Sequence, residues 1–478
     1  VTIDDLPRRS RPDACPGALR VHAAADGGLA RIRVPGGRLT PSQLSELARA
    51  ASGFGAGVVE LTSRANVQVR GLGEEGRAGF AACLAEAGLL PSSSHERVRN
   101  ILASPLSGCD TAGLLDAGPL VAELDRRLCS RPGLAALPGR FLFALDDGRG
   151  DVAWLDPDAG ILPIGADRAA LILAGADSGL RVPVGSAVTA LLAAAEAFLA
   201  EAAEAAASGA TSPGNTGNTG TTGTTGASTG TTPETSAGAF AGASSEGGRI
   251  WRIGELPGGA GRVAARIRAA LGPLLAAGGP RFGPAAGREG PGPVGPVGAS
   301  GGPGGRAALG VAVPLGRLTR AQAELLAGLA AGGEVRLTPW RGVVLPGLRP
   351  AGVAGAAALL AEAGLVTDPS SPWIGVTACA GRPGCARALA DVRSDAARAT
   401  ARNLPGSFGH PRAAGAAPTG TLPVHWAGCE RRCGRPRGRV ADVVAFAGGY
   451  RVELDGRSLT CADIEETTAA VTALRGET

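Results

Sequence analysis

The sequence predicts an α+β chain built as an internal duplication: two half domains, each followed by an α/β module, related by a pseudo-two-fold axis. Three observations carry this. Residues 59–89 (VELTSRANVQVRGL onward) align without gaps to 335–365 (VRLTPWRGVVLPGL onward), with 17 identities in 31 positions at a constant offset of 276. Upstream, VPGGRLTPSQ (34–43) matches VPLGRLTRAQ (313–322). Between the copies, residues 208–308 contain runs such as NTGNTGTTGTTG and GPGPVGPVG, whose composition cannot repay ordering entropy and reads as linker.

Each element of the repeat has a local cause. Alternation from Ala30 to Val34 predicts a strand with Arg31 and Arg33 on one face and Ile32 and Val34 on the other. Thr40 then caps a helix, with Pro41 at its first position and Gln43 completing a capping box that Thr319 and Gln322 repeat. Strands at 57–62 and 66–71 flank a turn, and a helix over 76–87 closes at Gly88. Strand, helix, strand, strand, helix is most of a ferredoxin-like unit, and pairing of the two copies would cover their sheet edges. Helices near 119–130 and 386–400 belong to the modules that follow. The expected division is a first half domain at 20–95, a first module at 96–207, linker at 208–308, a second half domain at 309–370 and a second module at 371–478. Within the linker, 249–275 is apolar enough for one strand and one helix packed on the body.

Composition narrows the function classes. All 47 basic residues among 478 are Arg, the net charge is +5, and there are one Tyr and nine Phe. No dense basic stripe with interleaved aromatics is present, which argues against nucleic acid. The first twenty residues carry no apolar run, and the best membrane candidate, 187–207, is broken by Glu196, Glu201 and Glu204. The expectation is a soluble, cytoplasmic chain with no membrane partner. Nine cysteines, an odd number scattered over a long chain, argue for reduced thiols and metal chemistry over a disulfide framework.

Four of these cysteines form two pairs, Cys379 and Cys385 as C-x5-C and Cys429 and Cys433 as C-x3-C. Four thiolates hold an iron–sulfur cluster or a structural zinc, and C-x5-C exceeds the roughly two to four residues usual between paired zinc cysteines, which favours the cluster. Gly381, Gly384, Gly428 and Gly434 flank the ligands and let backbone N–H groups approach sulfur. In the first copy, Arg64 and Arg70 bracket the strand-turn-strand, with Asn66 and Gln68 on the same face if the segment stays extended. Guanidinium forks bind carboxylates bidentately. The second copy has Trp340 and Pro346 in place of Arg64 and Arg70, so the anion-reading function belongs to the first copy.

Four cysteines in C-x5-C…C-x3-C, preceded by T-x-R-x-N-x-Q-x-R-G on a duplicated half domain, resemble the sirohaem-dependent sulfite and nitrite reductase superfamily. Within it, RPDACPG (11–17), RVPGGRLT (33–40), ELTSRANVQVRGL (60–72) and RNILASPLSGCD (99–110) most resemble the precorrin-3B synthases. The resemblance implies a 4Fe-4S cluster on Cys379, Cys385, Cys429 and Cys433, with a tetrapyrrole between the halves. It adds Arg99, Asn100 and Arg140 to Arg64, Asn66, Gln68 and Arg70 as candidate substrate-binding residues. The implied activity is a monooxygenase's: dioxygen-dependent hydroxylation and lactone formation on precorrin-3A in aerobic cobalamin biosynthesis. A NADH-linked reductase or a ferredoxin would supply electrons and a further non-haem iron would activate oxygen, although no two-His-one-carboxylate set places that iron. Two alternatives stay open: a sirohaem-dependent sulfite or nitrite reductase, and a non-catalytic tetrapyrrole-binding or zinc-stabilised scaffold. The reductases place two cationic residues two apart after Leu-Pro, whereas LPGRFLF offers Arg140 and then Leu142, which weighs against oxyanion reduction.

Weaker signals receive ordinary readings. GFGAG (53–57) follows a helix and precedes a strand, the reverse of a dinucleotide-binding turn. His425 reads as a hydrogen-bonded loop histidine beside the cysteines, and Asp146 and Asp147 as a turn.

Overall fold

The computed structural model describes residues 13, 15–210, 250–275, 281–283, 295–330, 332–402 and 422–476. The first half domain runs β1 (His22–Ala24), β2 (Gly27–Ile32), β3 (Arg38–Leu39), α1 (Pro41–Phe54), β4 (Val58–Leu61), β5 (Val67–Leu72) and α2 (Gly76–Glu86). Thr40 accepts a hydrogen bond from the Gln43 backbone while the Gln43 side chain bonds back to Thr40 N, so the expected capping box is formed. The strand β1, three residues long, has no apolar alternation and escapes sequence reading; it is recruited by backbone pairing to β2.

The first module contains β6 (Ile101–Ala103), α3 (Gly118–Cys129), β7 (Phe143–Leu145), β8 (Ala159–Pro163), β9 (Arg168–Leu173), β10 (Ala176–Pro183), α4 (Ala187–Ala210) and α5 (Gly259–Leu271). Its sheet has the order β10-β9-β8-β7-β6, with β6, β7 and β8 parallel and the rest antiparallel. The stretch Val184–Ala207, which includes most of α4, is long and apolar enough to cross a membrane, yet more than half of its most apolar window is buried in the protein. Leu191, Leu192 and Phe198 of α4 are fully buried in the module core.

The second half domain repeats the first with β11 (Gly298–Gly301), β12 (Ala307–Ala312), β13 (Arg317–Thr319), α6 (Arg320–Leu329), β14 (Val335–Leu337), β15 (Gly342–Leu348) and α7 (Pro350–Glu362). Thr319 and Gln322 form the second capping box. The second module contains β16 (Val376–Ala378), α8 (Val392–Ala401), β17 (Val424–Ala427), β18 (Ala441–Phe446), β19 (Gly449–Leu454), β20 (Arg457–Cys461) and α9 (Ile464–Gly476). Here too three parallel strands, β16, β17 and β18, are extended by an antiparallel pair.

The two half domains exchange a strand. The first sheet has the order β1-β2-β5-β4-β13 and the second β11-β12-β15-β14-β3, so each is finished by a short strand from the other copy. The registers correspond: Arg317 lies opposite Glu60, and Arg38 opposite Arg336. Each edge that a lone copy would leave open is thereby paired. One core runs through both copies, joining Leu44, Leu47 and Val67 to Ala323, Leu326 and Val343.

Within the span read as linker, the helix expected over 249–275 forms as α5 while no strand forms there among the described residues, and residues 298–301 are a strand where linker was expected. Residues 259–271 form α5, whose buried Val263 and Ile267 make an apolar stripe at helical spacing. Glu201 of α4 binds Arg266 at 2.5 Å and also Arg262. Residues 298–301 are β11, a Gly-Ala-Ser-Gly strand without bulk that pairs antiparallel with β12. The Thr/Gly-rich core of the span, 211–249, lies outside the described residues.

Candidate functional site

The cysteine loops leave the carboxyl ends of two adjacent parallel strands, Cys379 and Cys385 after β16 and Cys429 and Cys433 after β17. Such strand ends are where α/β sheets build sites. Gly428 N donates to Cys379 Sγ at 3.2 Å, so one loop's backbone solvates the other's sulfur. A Cβ at Gly428 would sit 2.7 Å from the Ala388 side chain, so only glycine permits this approach. Burial pushes the Cys433 thiol up; Arg431 opposes the shift, while Cys379, Cys429 and Cys385 add to it, which puts all four sulfurs within electrostatic reach.

Among the described residues, the group of three or more metal-ligand atoms lying within 4.8 Å of one another is Asp146, Asp147 and Asp151, not the cysteines. The sulfurs are therefore spread more widely than ligands about 2.3 Å from a single zinc, and the donor set fits a multi-iron cluster. All nine cysteines are free thiols.

The polar face of the first half domain supports these loops. Arg70 forms a two-pronged ion pair with Asp26 at 2.8 and 2.9 Å, and donates to the Gly384 carbonyl beside Cys385. Gln68 donates to Glu60 at 2.7 Å, Glu60 pairs with Arg393 at 2.6 Å, and Arg393 donates to the Cys379 carbonyl at 3.2 Å. Gln68 and Arg70 thus brace the cysteine loops. Asn66 and Asn100 are fully buried and bonded to each other at 2.9 Å; Asn66 also accepts from Val34 N and Asn100 donates to the Phe141 carbonyl. They join the half domain to its module and face no open space. Arg99 is committed to Asp125 by two 2.7 Å bonds. The Arg140 guanidinium stacks 4.8 Å over Trp251. Of the seven candidate substrate-binding residues, four of them arginines expected to hold carboxylates, Arg64 alone lines the cleft between the halves. Motif resemblance and face alternation could not separate reading arginines from bracing ones, because both are arginines at the same spacing.

That cleft has a cavity of about 410 Å³, walled by residues of both half domains and both modules. Leu102, Leu142, Leu155, Trp340 and Trp373 supply apolar surface, while Arg64, Arg252, Arg341, Arg435 and Arg437 supply positive charge. Among the described residues Asp156 is the one carboxylate in the lining, and it already pairs with Arg437 at 2.7 Å and Arg252 at 3.3 Å. Arg64 and Arg341 have no carboxylate partner among the described residues; they donate to the Arg140 carbonyl at 3.2 Å and the Gly434 carbonyl at 2.7 Å. Burial, reinforced by Arg33 and Arg252, lowers Arg64 to about 10. Burial, reinforced by Arg393, lowers Arg341 to about 10 as well. Arg341 follows Trp340, at the left-handed turn position that Ala65 holds in the first copy, with φ of 58° and 51°. Sequence reading passed over it because it compared copies column by column, whereas the two cleft arginines sit in neighbouring columns of the same turn.

His425 is fully buried, with Nδ1 2.9 Å from Thr377 Oγ1, and burial together with Arg341 and Arg435 pushes it down to about 3. It is a neutral histidine within β17, tied to β16, and not the loop residue expected from the sequence. In the first module, Asp146 and Asp147 follow β7 as Cys429 follows β17, and they are buried. Asp146 accepts from the backbone N–H groups of Gly148, Gly150, Val152 and Ala153, and Asp147 pairs with Arg149. The expected turn is there, closed by carboxylates where the other module has thiols.

Comparison with known proteins agrees with this architecture. Residues 22–87 and 300–363 match the nitrite/sulfite reductase ferredoxin-like half domain. A ferredoxin–nitrite reductase of Synechococcus elongatus is 28% identical over 457 residues, 91% of this chain and 79% of that protein. A precorrin-3B synthase of Sinorhizobium is 30% identical over 138 residues, 29% of each. The solved structure of the Mycobacterium tuberculosis NirA protein covers 94% of this chain and 80% of its own with a TM-score of 0.66 at 19% identity. The chain thus matches the nitrite/sulfite reductase ferredoxin-like half domain twice and shares its duplicated fold with the NirA protein.

Proposed function

We propose that this chain is an oxidoreductase of the sirohaem-type nitrite/sulfite reductase kind, holding a 4Fe-4S cluster on Cys379, Cys385, Cys429 and Cys433 and a polycarboxylate tetrapyrrole in the cleft between its halves. The observation that carries the reading is the pair of half-buried, carboxylate-free guanidiniums, Arg64 and Arg341, in an apolar cleft directly beside the Cys433 loop. Burying a cation without a counter-charge is costly, and a macrocycle bearing acetate and propionate arms would relieve that cost. Trp340 and Trp373 offer flat apolar surface to the ring, and Leu142 and Leu155 exclude water from one wall.

The first reading for the reaction is reduction of nitrite or sulfite with electrons from an external ferredoxin-type donor, supported by the relative that matches along most of its length. The cluster and sirohaem, when bound, would supply one-electron transfer and a binding site for the anion. The chain's own part is to hold the ring by Arg64 and Arg341, to keep the Cys379 sulfur bonded to the Gly428 backbone N–H, and to brace the cysteine loops through Arg70 and Arg393. The second reading, oxygen-dependent hydroxylation of a precorrin as substrate, is favoured by one observation: Leu142 is 2% exposed in the cleft wall where oxyanion reduction calls for a cation.

An absorbance spectrum of the purified protein with iron and acid-labile sulfide counts tests the shared core; one zinc and no sulfide would remove it. Sirohaem extractable into acid acetone, with nitrite or sulfite turnover, selects the first reading. A cluster without sirohaem, plus consumption of precorrin-3A with oxygen and an electron donor, selects the second.

A further inference from the structure

The duplication leaves a second cavity, of about 330 Å³, at the counterpart of the place where Arg70 braces the cluster loop. In the first copy that place is filled: Arg70 of β5 spans from Asp26, in the β1–β2 turn, to the carbonyl of Gly384 beside Cys385, with Glu60 of β4 alongside. In the second copy each of these charges has changed. Pro346 stands for Arg70 and Arg336 for Glu60, and the turn before β12 has Gly305 where the first copy has Asp26, followed by Arg306. The facing loop is Gly108 and Cys109 in place of Gly384 and Cys385. Where the first copy has two carboxylates and one guanidinium, the second has two guanidiniums and no long side chain between them.

The remaining charged lining is Arg38 and Glu334. Glu334 pairs with Arg38 at 2.7 Å and also with Arg336, so one carboxylate is shared by two guanidiniums. Arg336 is 6% exposed and fixed by the carbonyls of Pro105 and Ser107 at 3.0 and 2.6 Å. Arg306 donates from Nη1 to the Gly347 carbonyl at 3.2 Å, and has no carboxylate partner among the described residues. Three cations against one anion leave the cavity with a net charge of about +2, beside a buried arginine held on β14, a strand paired on both sides.

We propose that this cavity is a second ligand site, distinct from the cleft, which takes a small dianion of the phosphomonoester or dicarboxylate class. Arg306 and Arg38 make the adjustable contacts, and Arg336 supplies the fixed one. The Cys109 thiol, 8% exposed and pushed up by burial, lines the same cavity and reports its occupancy. The proposal does not depend on which reaction the cleft performs.

The test uses the full-length protein as purified, with inorganic phosphate and succinate as probes in titration calorimetry and with alkylation of Cys109 followed by peptide mass mapping. Saturable binding of at least one probe is expected, with slowed alkylation of Cys109 and unchanged alkylation of Cys83. Arg306→Gln, at an exposed turn, should weaken that binding at least tenfold, as loss of a charge-assisted bond does. Pro346→Arg, which restores the first copy's side chain, should abolish binding and leave the cluster absorbance intact. Phosphate binding alone identifies the phosphomonoester class, and succinate binding alone the dicarboxylate class. Absence of saturable binding by both probes, or binding that survives Arg306→Gln and Pro346→Arg unchanged, overturns the proposal.

Discussion

Replacing Arg341 by Gln should move two measurements in opposite directions. Arg341 keeps its charge in the cleft although burial, reinforced by Arg393, lowers it from its ordinary value to about 10. At about 1.4 kcal/mol per pH unit, that depression corresponds to about 3 kcal/mol of destabilisation, and to roughly half as much once solvent in the open cleft screens the charge. The sign follows from the direction: a base with a depressed folded value destabilises the fold at every pH below that value. Gln keeps a donor for the Gly434 carbonyl and removes the charge, so the tetrapyrrole-free protein should gain about 1–2 kcal/mol in urea unfolding at pH 7. The same change removes a guanidinium from the macrocycle's carboxylates, and retention of bound tetrapyrrole should fall about 10- to 100-fold. Urea titration of stripped protein and gel-filtration retention of bound pigment read the two effects separately. A variant that loses stability and pigment together would show Arg341 to be a structural strut, and one that retains pigment fully would refute its role as a carboxylate contact.

Further predictions rest on the other sites. Cys379→Ser should abolish acid-labile sulfide and the cluster's visible absorbance, while leaving any cleft pigment measurable by extraction. Gly428→Ala places a Cβ 2.7 Å from Ala388 and should lower iron and sulfide content with a stability loss of about 1–3 kcal/mol; full cluster occupancy would contradict the packing account. Asp151 is buried, its Oδ1 accepts from Ser104 at 2.5 Å and its Oδ2 has no partner among the described residues, and burial, with Asp146 adding to it, raises the carboxyl well above its ordinary value. Stability is then fully present below the unfolded carboxyl's value of about 3.9 and is lost as pH rises toward the folded one, at about 1.4 kcal/mol per pH unit. Asp151→Asn should be free of that loss, so its advantage over the wild type should widen from pH 4 upward; a difference independent of pH would remove the argument.

Much of the half domain was legible because its signals are local. Thr40 with Gln43 and Thr319 with Gln322 announce helix starts, and the cysteine spacing survives without any knowledge of the fold. The strands β1 and β11 were hidden, since both are held by backbone pairing and carry no apolar alternation. The site divided in the same way. Cys379, Cys385, Cys429 and Cys433 could be grouped from spacing, whereas the arginines could not be sorted. Arg70 and Arg99 meet Asp26 and Asp125, residues 44 and 26 positions away, and such pairing is decided by tertiary contact. Arg252 belongs to the 249–275 stretch, whose packing on the body was expected from its apolar residues; that it packs on the first module through Ile253 and so reaches the cleft wall is decided by tertiary contact.

The reciprocal use of β3 and β13 bears on how such a chain can be divided or assembled. A polypeptide ending after residue 275 would carry β3 with no sheet to join and a first sheet lacking its last strand; the remainder would have the mirror-image defect. Neither piece has a complete hydrogen-bonded edge, so each should be aggregation-prone alone, and the two should recover a folded complex when co-expressed. The geometry is that of a strand-exchanged dimer written into one polypeptide. The covalent connection therefore fixes which copy receives cysteines and which receives carboxylates at the same strand ends, an asymmetry that a true homodimer could not encode.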